Sequence, residues 1–120
     1  PGSIAWNELW TADSSLARQF YSQVLGWTYE KVNAGDGSYY ICLVGDRANG
    51  GIRVIGDEDR YSDHPEWVVH FAVESVSRSV EMATAAGGSL LHTPKEMHLG
   101  RVAYMTDPSG APFALLELRS

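Results

Sequence analysis

WNELWTADSSLARQFYSQVLGW, residues 6–27, reads as a strand running into a helix. Residues 4–10 alternate and are rich in Trp and Leu, so Trp6, Glu8 and Trp10 share one face of a strand. A carboxylate among indoles is costly unless it is paired, hydrogen-bonded or wet. That face is therefore a surface or the wall of a polar-floored pocket. Asp13 or Ser14 can cap a helix whose apolar positions Leu16, Phe20, Val24 and Leu25 fall at helical spacing. Gly26 closes it where a C-terminal glycine belongs.

Outward from that unit, residues 27–32 and 39–44 read as the two strands of a hairpin, with the turn cluster NAGDGS (33–38) between them. GDRANG (45–50) reads as a second turn and GIRVI (51–55) as a strand. Residues 56–66 are polar, contain a proline and form the one long connector. WVVHFAV (67–73) is again a strand, followed by a helix from Ser75 to Ala86 that ends at Gly87-Gly88. Strands follow at 89–94, 101–106 and 112–118, with KEMHLG (95–100) a loop and DPSGA (107–111) a turn. The order βαβββ thus occurs twice. An offset of 62 carries Glu8 onto His70, Asp13 onto Ser75, Phe20 onto Met82 and Gly26 onto Gly88, which is the register of an internal repeat. The modules span about 4–55 and 67–118 of one domain, 1–120.

The 120 residues suit one compact domain, and 44% apolar with 20% charged residues is ordinary for a soluble protein. A net charge of −6 and the lack of a basic run argue against nucleic acid or an anionic membrane as partner. The single cysteine, Cys42, lies in the apolar run 40–44 and reads as a small core residue. No stretch has the ~18 apolar residues of a membrane span, and no address signal opens the sequence, so a cytoplasmic protein is the expectation. In residues 67–73 and 112–118 apolar side chains occupy both faces, so the sheet is covered on both. One cover is the helices; the other is a second sheet, a partner or a ligand cavity.

Three segments together resemble the vicinal oxygen chelate superfamily, which includes glyoxalase I, bleomycin-resistance proteins and extradiol dioxygenases. They are residues 6–27, HFAVESVSRSVEMATAAGG (70–88) and GRVAYMTDPSGAPFALLE (100–117). The resemblance implies an α+β fold of two βαβββ modules forming a cup-shaped, partly open barrel around a central cavity. It also implies four cavity-facing positions that hold a metal in metal-dependent members. Aligned from Asp13 and Asp107, these are Trp6, Val68, Ala114 and either Gly51 or Ile52, none of which binds a divalent cation through its side chain. No metal and no cofactor is the resulting expectation. Only a two-residue slip would bring Glu8 and His70 into ligand register, and Glu117 would join them only through a bulge.

Glu8 and His70 are the candidate catalytic pair, placed at equivalent positions in the two modules and so expected to face each other over the cavity. A carboxylate and an imidazole there could abstract and return a proton; the plainer alternative is that Glu8 anchors an amide or an arginine. Trp6, Trp10, Tyr39, Trp67 and Tyr104 are candidates to stack an aromatic ligand, and Arg53 to clamp an anion. Arg101 reads as structural, and His64, His92 and His98 as loop residues. Residues 57–63, if placed at the cavity mouth, could act as a lid. Two functions follow as expectations. One is a metal-independent protein binding a small molecule, aromatic or cationic, on the pattern of drug-sequestering relatives. The other is a small isomerase, cyclase or lyase using Glu8 and His70. Metal-dependent glyoxalase or dioxygenase chemistry ranks below both. Many members of the superfamily pair as dimers, which makes a homodimer an expectation as well.

Overall fold

The computed structural model describes residues 2–34, 37–55, 65–97 and 99–118. Its elements are β1 (Ile4–Thr11), α1 (Ser14–Leu25), β2 (Thr28–Ala34), β3 (Gly37–Val44), β4 (Arg47–Val54), β5 (Glu66–Ala72), α2 (Val76–Ala85), β6 (Ser89–Leu90), β7 (Lys95–Glu96), β8 (Gly100–Thr106) and β9 (Pro112–Leu118). They divide into two compact units, Trp6–Trp67 and Pro1–Ala5 with Val68–Ser120.

In the first unit the strand order is β2-β3-β4-β1, with β1 parallel to β4 and the other pairs antiparallel. Asp13 caps α1 by accepting the Leu16 N–H at 3.0 Å, and Gly26 ends the helix at φ 73° with its N–H on the Ser22 carbonyl. Under α1, Leu9, Cys42 and Ile52 form the buried core, with Ala17, Tyr21, Trp27, Tyr29 and Tyr40 packed around them. The helix meets this core through Ala17 and Tyr21. Leu16, Phe20, Val24 and Leu25, the residues whose spacing marked the apolar stripe, are exposed instead.

The second unit carries the order β5-β9-β8-β6, with β7 also on β8 and β5 parallel to β9. Ala72 is tied at the other side of β5, accepting from the Gly2 N–H and donating to the Ser3 carbonyl. Val76, Ala103, Met105 and Leu115 form its core, with Val73, Val80, Ala83 and Phe113 against them. Ser75 caps α2 through the Arg78 N–H, at the position the 62-residue offset pairs with Asp13.

The α+β class and the two helix-and-sheet modules hold, and the details differ in three places. Residues 47–50, expected as turn, extend β4, because Val44 pairs with Arg47 and Leu43 with Ala48 past a register shift at Cys42/Leu43. The strand expected at 89–94 shrinks to Ser89–Leu90, and the expected loop contains β7, where Lys95 and Glu96 pair with Val102 and Arg101. At the end of α2 the left-handed glycine is Gly87, φ 104°, one residue earlier than the repeat offset places it. Most of the expected connector, with His64 and the proposed lid, lies outside the described residues, as does His98.

Candidate functional site

Pleating puts Leu9 and Thr11 on the α1 side of β1 and Trp6, Glu8 and Trp10 on the other. Register extends that second face across the sheet. Glu8 is opposite Gly51 and Trp10 opposite Arg53 in β4; Arg53 is in turn opposite Tyr39, and Gly51 opposite Ile41, in β3. Glu8, Trp10, Tyr39 and Arg53 are all buried, at 2–6% exposure. Buried polar groups in such a setting need partners. The Trp10 Nε1–H donates to Glu8 Oε2 at 2.7 Å, and the Trp6 Nε1–H donates to the Tyr39 hydroxyl at 2.8 Å. The Arg53 guanidinium stands 5.9 Å from the centre of the Trp10 ring, within cation–π range.

The consecutive glycines of β4 make this arrangement fit. A Cβ on Gly50 would come within 2.7 Å of the Asn7 carbonyl oxygen, and one on Gly51 would overlap the Tyr39 phenol ring. Gly51 lies on the Glu8 face, whereas Ile52 lies in the core under α1, so Gly51 is the β4 position on the candidate face.

In the second unit the matching face is built from β5, β9 and β8. His70 is opposite Ala114, and Ala114 is opposite Tyr104. His70 and Tyr104 are buried with their rings 5.8 Å apart, edge to face. His70 Nδ1 is 3.1 Å from the Val68 carbonyl oxygen. A carbonyl only accepts, so Nδ1 is the donor in this contact.

The candidate residues therefore gather by unit: Trp6, Glu8, Trp10, Tyr39 and Arg53 on one strand face, His70 and Tyr104 on another. Trp67 stands apart from the first group. Its Nε1–H donates to the Tyr21 hydroxyl at 3.0 Å, and its ring meets those of Tyr21 and Trp27 on the α1 side. Glu117 is on the helix side of β9, where its Oε1 accepts the N–H of Val76, the first residue of α2, at 2.8 Å. The β8–β9 ladder runs in register through Arg101 and Glu117, so no bulge turns that carboxylate to the other face. Glu66 escaped notice in the sequence. Burial pushes its carboxyl above the ordinary value, and among the described residues its Oε2 is buried without a hydrogen-bond partner. A single Glu before an apolar run gives no signal of that.

The four positions that the superfamily resemblance gives to metal ligands carry an indole (Trp6), a hydrogen (Gly51), an isopropyl group (Val68) and a methyl group (Ala114). An indole N–H donates and does not ligate, and here it is engaged with Tyr39. Among the described residues no group of three His, Cys, Asp or Glu side chains is placed to hold an ion. The donor set at these positions does not fit a divalent cation.

The family description of the glyoxalase-like domain matches residues 8–116. The chain belongs to the glyoxalase-like family of the vicinal oxygen chelate superfamily. This glyoxalase-like chain is 34% identical over 119 residues to the anthracycline biosynthesis protein DnrV of Streptomyces peucetius, covering 99% of the chain and 42% of DnrV. It is equally 34% identical over 119 residues to CFP32 of Mycobacterium tuberculosis, provisionally named a glyoxylase, covering 97% of the chain and 44% of CFP32. The chain thus spans less than half the length of these curated relatives. Methylmalonyl-CoA epimerase from Mycobacterium tuberculosis superposes with a TM-score of 0.65 at 15% identity, covering 99% of this chain and 89% of the epimerase, a likeness of fold.

Proposed function

We propose that this glyoxalase-like chain binds a small organic molecule without a metal, using the strand face of Trp6, Glu8, Trp10, Tyr39 and Arg53. The observation that carries the proposal is the Glu8–Trp10 pair: a buried carboxylate held by an indole N–H, on a face where the metal-ligand positions are Trp6 and Gly51. Such a face offers aromatic area, one anion and one cation, the makings of a site that orients an aromatic ligand bearing a charged or polar substituent. Two relatives of similar identity, DnrV and DauV, are named for anthracycline biosynthesis, which supports a polycyclic aromatic ligand. The net charge of −6 favours a cationic one.

One observation favours a second reading, proton transfer by Glu8 and His70 in an isomerase, cyclase or lyase. The Val68 carbonyl oxygen lies 3.1 Å from His70 Nδ1, which supports a ring that donates there and could take a proton at Nε2. Glu8→Gln and His70→Ala separate the two readings when polycyclic aromatic compounds are incubated with each variant and followed by chromatography and by tryptophan fluorescence. Binding alone gives quenching, no new product and an affinity that Glu8→Gln weakens by roughly tenfold. Catalysis gives a product in the wild type that both variants lose while still binding the compound.

A further inference from the structure

Pro65 and Trp67 fix where Glu66 points. The Trp67 Nε1–H donates to the Tyr21 hydroxyl, and its ring meets those of Tyr21 and Trp27, on the α1 side of the sheet. Pro65 stands with Leu9, Thr11 and Ala17 around a groove on that same side. Successive side chains of an extended chain alternate. Glu66, between the two and the first residue of β5, therefore turns to the opposite face, the one that carries Trp6, Glu8 and Trp10 on the neighbouring strand β1. Glu66 and these three residues belong to one compact unit, Trp6–Trp67. Two carboxylates thus share the face, and they are met differently. Glu8 Oε2 accepts the Trp10 Nε1–H at 2.7 Å. Glu66 Oε2 is shielded from solvent and, among the described residues, accepts nothing. Desolvation raises its carboxyl above the ordinary value. A buried polar atom without a partner costs free energy, so native proteins keep one mostly where a ligand or a water serves it.

On the ligand-binding reading given above, we infer that Glu66 is the residue of this face that receives a cationic amine of the bound ligand. An ammonium suits the position better than a neutral donor does. Its N–H satisfies the oxygen, and its charge offsets that of a desolvated carboxylate. A hydroxyl would do only the first. An anionic substituent would be repelled by Glu66 and is better served by Arg53. The net charge of −6 draws cations toward the protein from a distance. Glu8, which already holds an indole, shapes the aromatic wall. Glu66 sets the charge of what lies against that wall.

Isothermal titration with an anthracycline-type aromatic amine, and with its uncharged N-acetyl form, tests this. The wild type is expected to bind the amine roughly tenfold more tightly than the N-acetyl form. Glu66→Gln should erase that preference by weakening the amine alone. Glu8→Gln should weaken both compounds alike and keep the preference. Urea unfolding of the ligand-free proteins is the second measurement. Glu66→Gln should keep or raise the wild-type midpoint, since it removes a desolvated charge. A midpoint that Glu66→Gln lowers assigns the carboxylate to the fold and overturns the inference. So does a preference that Glu66→Gln leaves in place, or a wild type that binds both forms equally; in each of these cases the ligand-binding reading stands. Failure of both compounds to bind the wild type removes that reading, and the role of Glu66 with it.

Discussion

Trp10 and Glu8 are two residues apart on β1, and their 2.7 Å hydrogen bond is the element of the candidate site most exposed to a single substitution. Glu8→Ala leaves the Trp10 N–H buried without its acceptor, which costs about 1–3 kcal/mol; urea unfolding should show that loss, with Glu8→Gln milder because its amide oxygen still accepts. Gly51 offers a second test. Gly51→Ala drives a methyl group into the Tyr39 ring and should cost about 1–3 kcal/mol. In a Tyr39→Ala background the obstruction is gone, so the two changes should be clearly non-additive in a double-mutant cycle. Cys42 lies in the core under α1, where burial pushes its thiol up to about 12. It should resist a thiol reagent at pH 8 in the native protein and react fully in guanidinium. Much of this was legible at residue level. Alternation put Glu8 with the two tryptophans, and the apolar run around Cys42 marked it as core. The reason for two adjacent glycines was not legible, because it lies in Asn7 and Tyr39, which reach them only through the β1–β4 and β3–β4 pairings.

At the scale of elements, the helix starts were readable because capping is local: Asp13 and Ser75 each serve an N–H three residues ahead. The faces of the helices were less so. Periodicity marks an apolar stripe without saying what lies against it, and the stripe of α1 turned out exposed while Ala17 and Tyr21 face the sheet. Strand β7 and the extension of β4 were missed for the opposite reason: Lys95–Glu96 and Arg47–Gly50 are polar or glycine-rich, and backbone pairing with β8 and β3 alone makes them strands. Glu117 joins two elements, so Glu117→Ala should cost about 1–3 kcal/mol by orphaning the buried Val76 N–H, and circular dichroism should show α2 fraying first. The turn after β8 carries a pH dependence. Chiefly the Ser109 hydroxyl, then the Ala111 N–H, hold the Asp107 carboxyl below its ordinary value. A depressed carboxyl stabilises the fold fully above that ordinary value and loses the contribution as pH falls through the folded one. The stability gap between wild type and Asp107→Asn should therefore narrow as pH is lowered from 7 to 3, read by urea titration at each pH.

At the scale of the whole molecule, family membership was readable because its signals are spread along the chain, from residues 6–27 to the Asp-Pro-Ser-Gly turn, and the glyoxalase-like match covers residues 8–116. Fold and chemistry part company here. The family's scaffold is present, while Trp6, Gly51, Val68 and Ala114 stand at the positions that the superfamily resemblance gives to metal ligands. Among the described residues no helix is long and apolar enough to cross a membrane. The central claim is that this scaffold holds an organic ligand on the Glu8 face with no metal. Isothermal titration of metal-stripped protein with a cationic polycyclic aromatic compound of the anthracycline type tests it most directly. The account predicts saturable binding that added divalent metal leaves unchanged and that Glu8→Gln weakens by roughly tenfold. Binding that appears only once a divalent metal is restored, with that metal retained in stoichiometric amount, would contradict it.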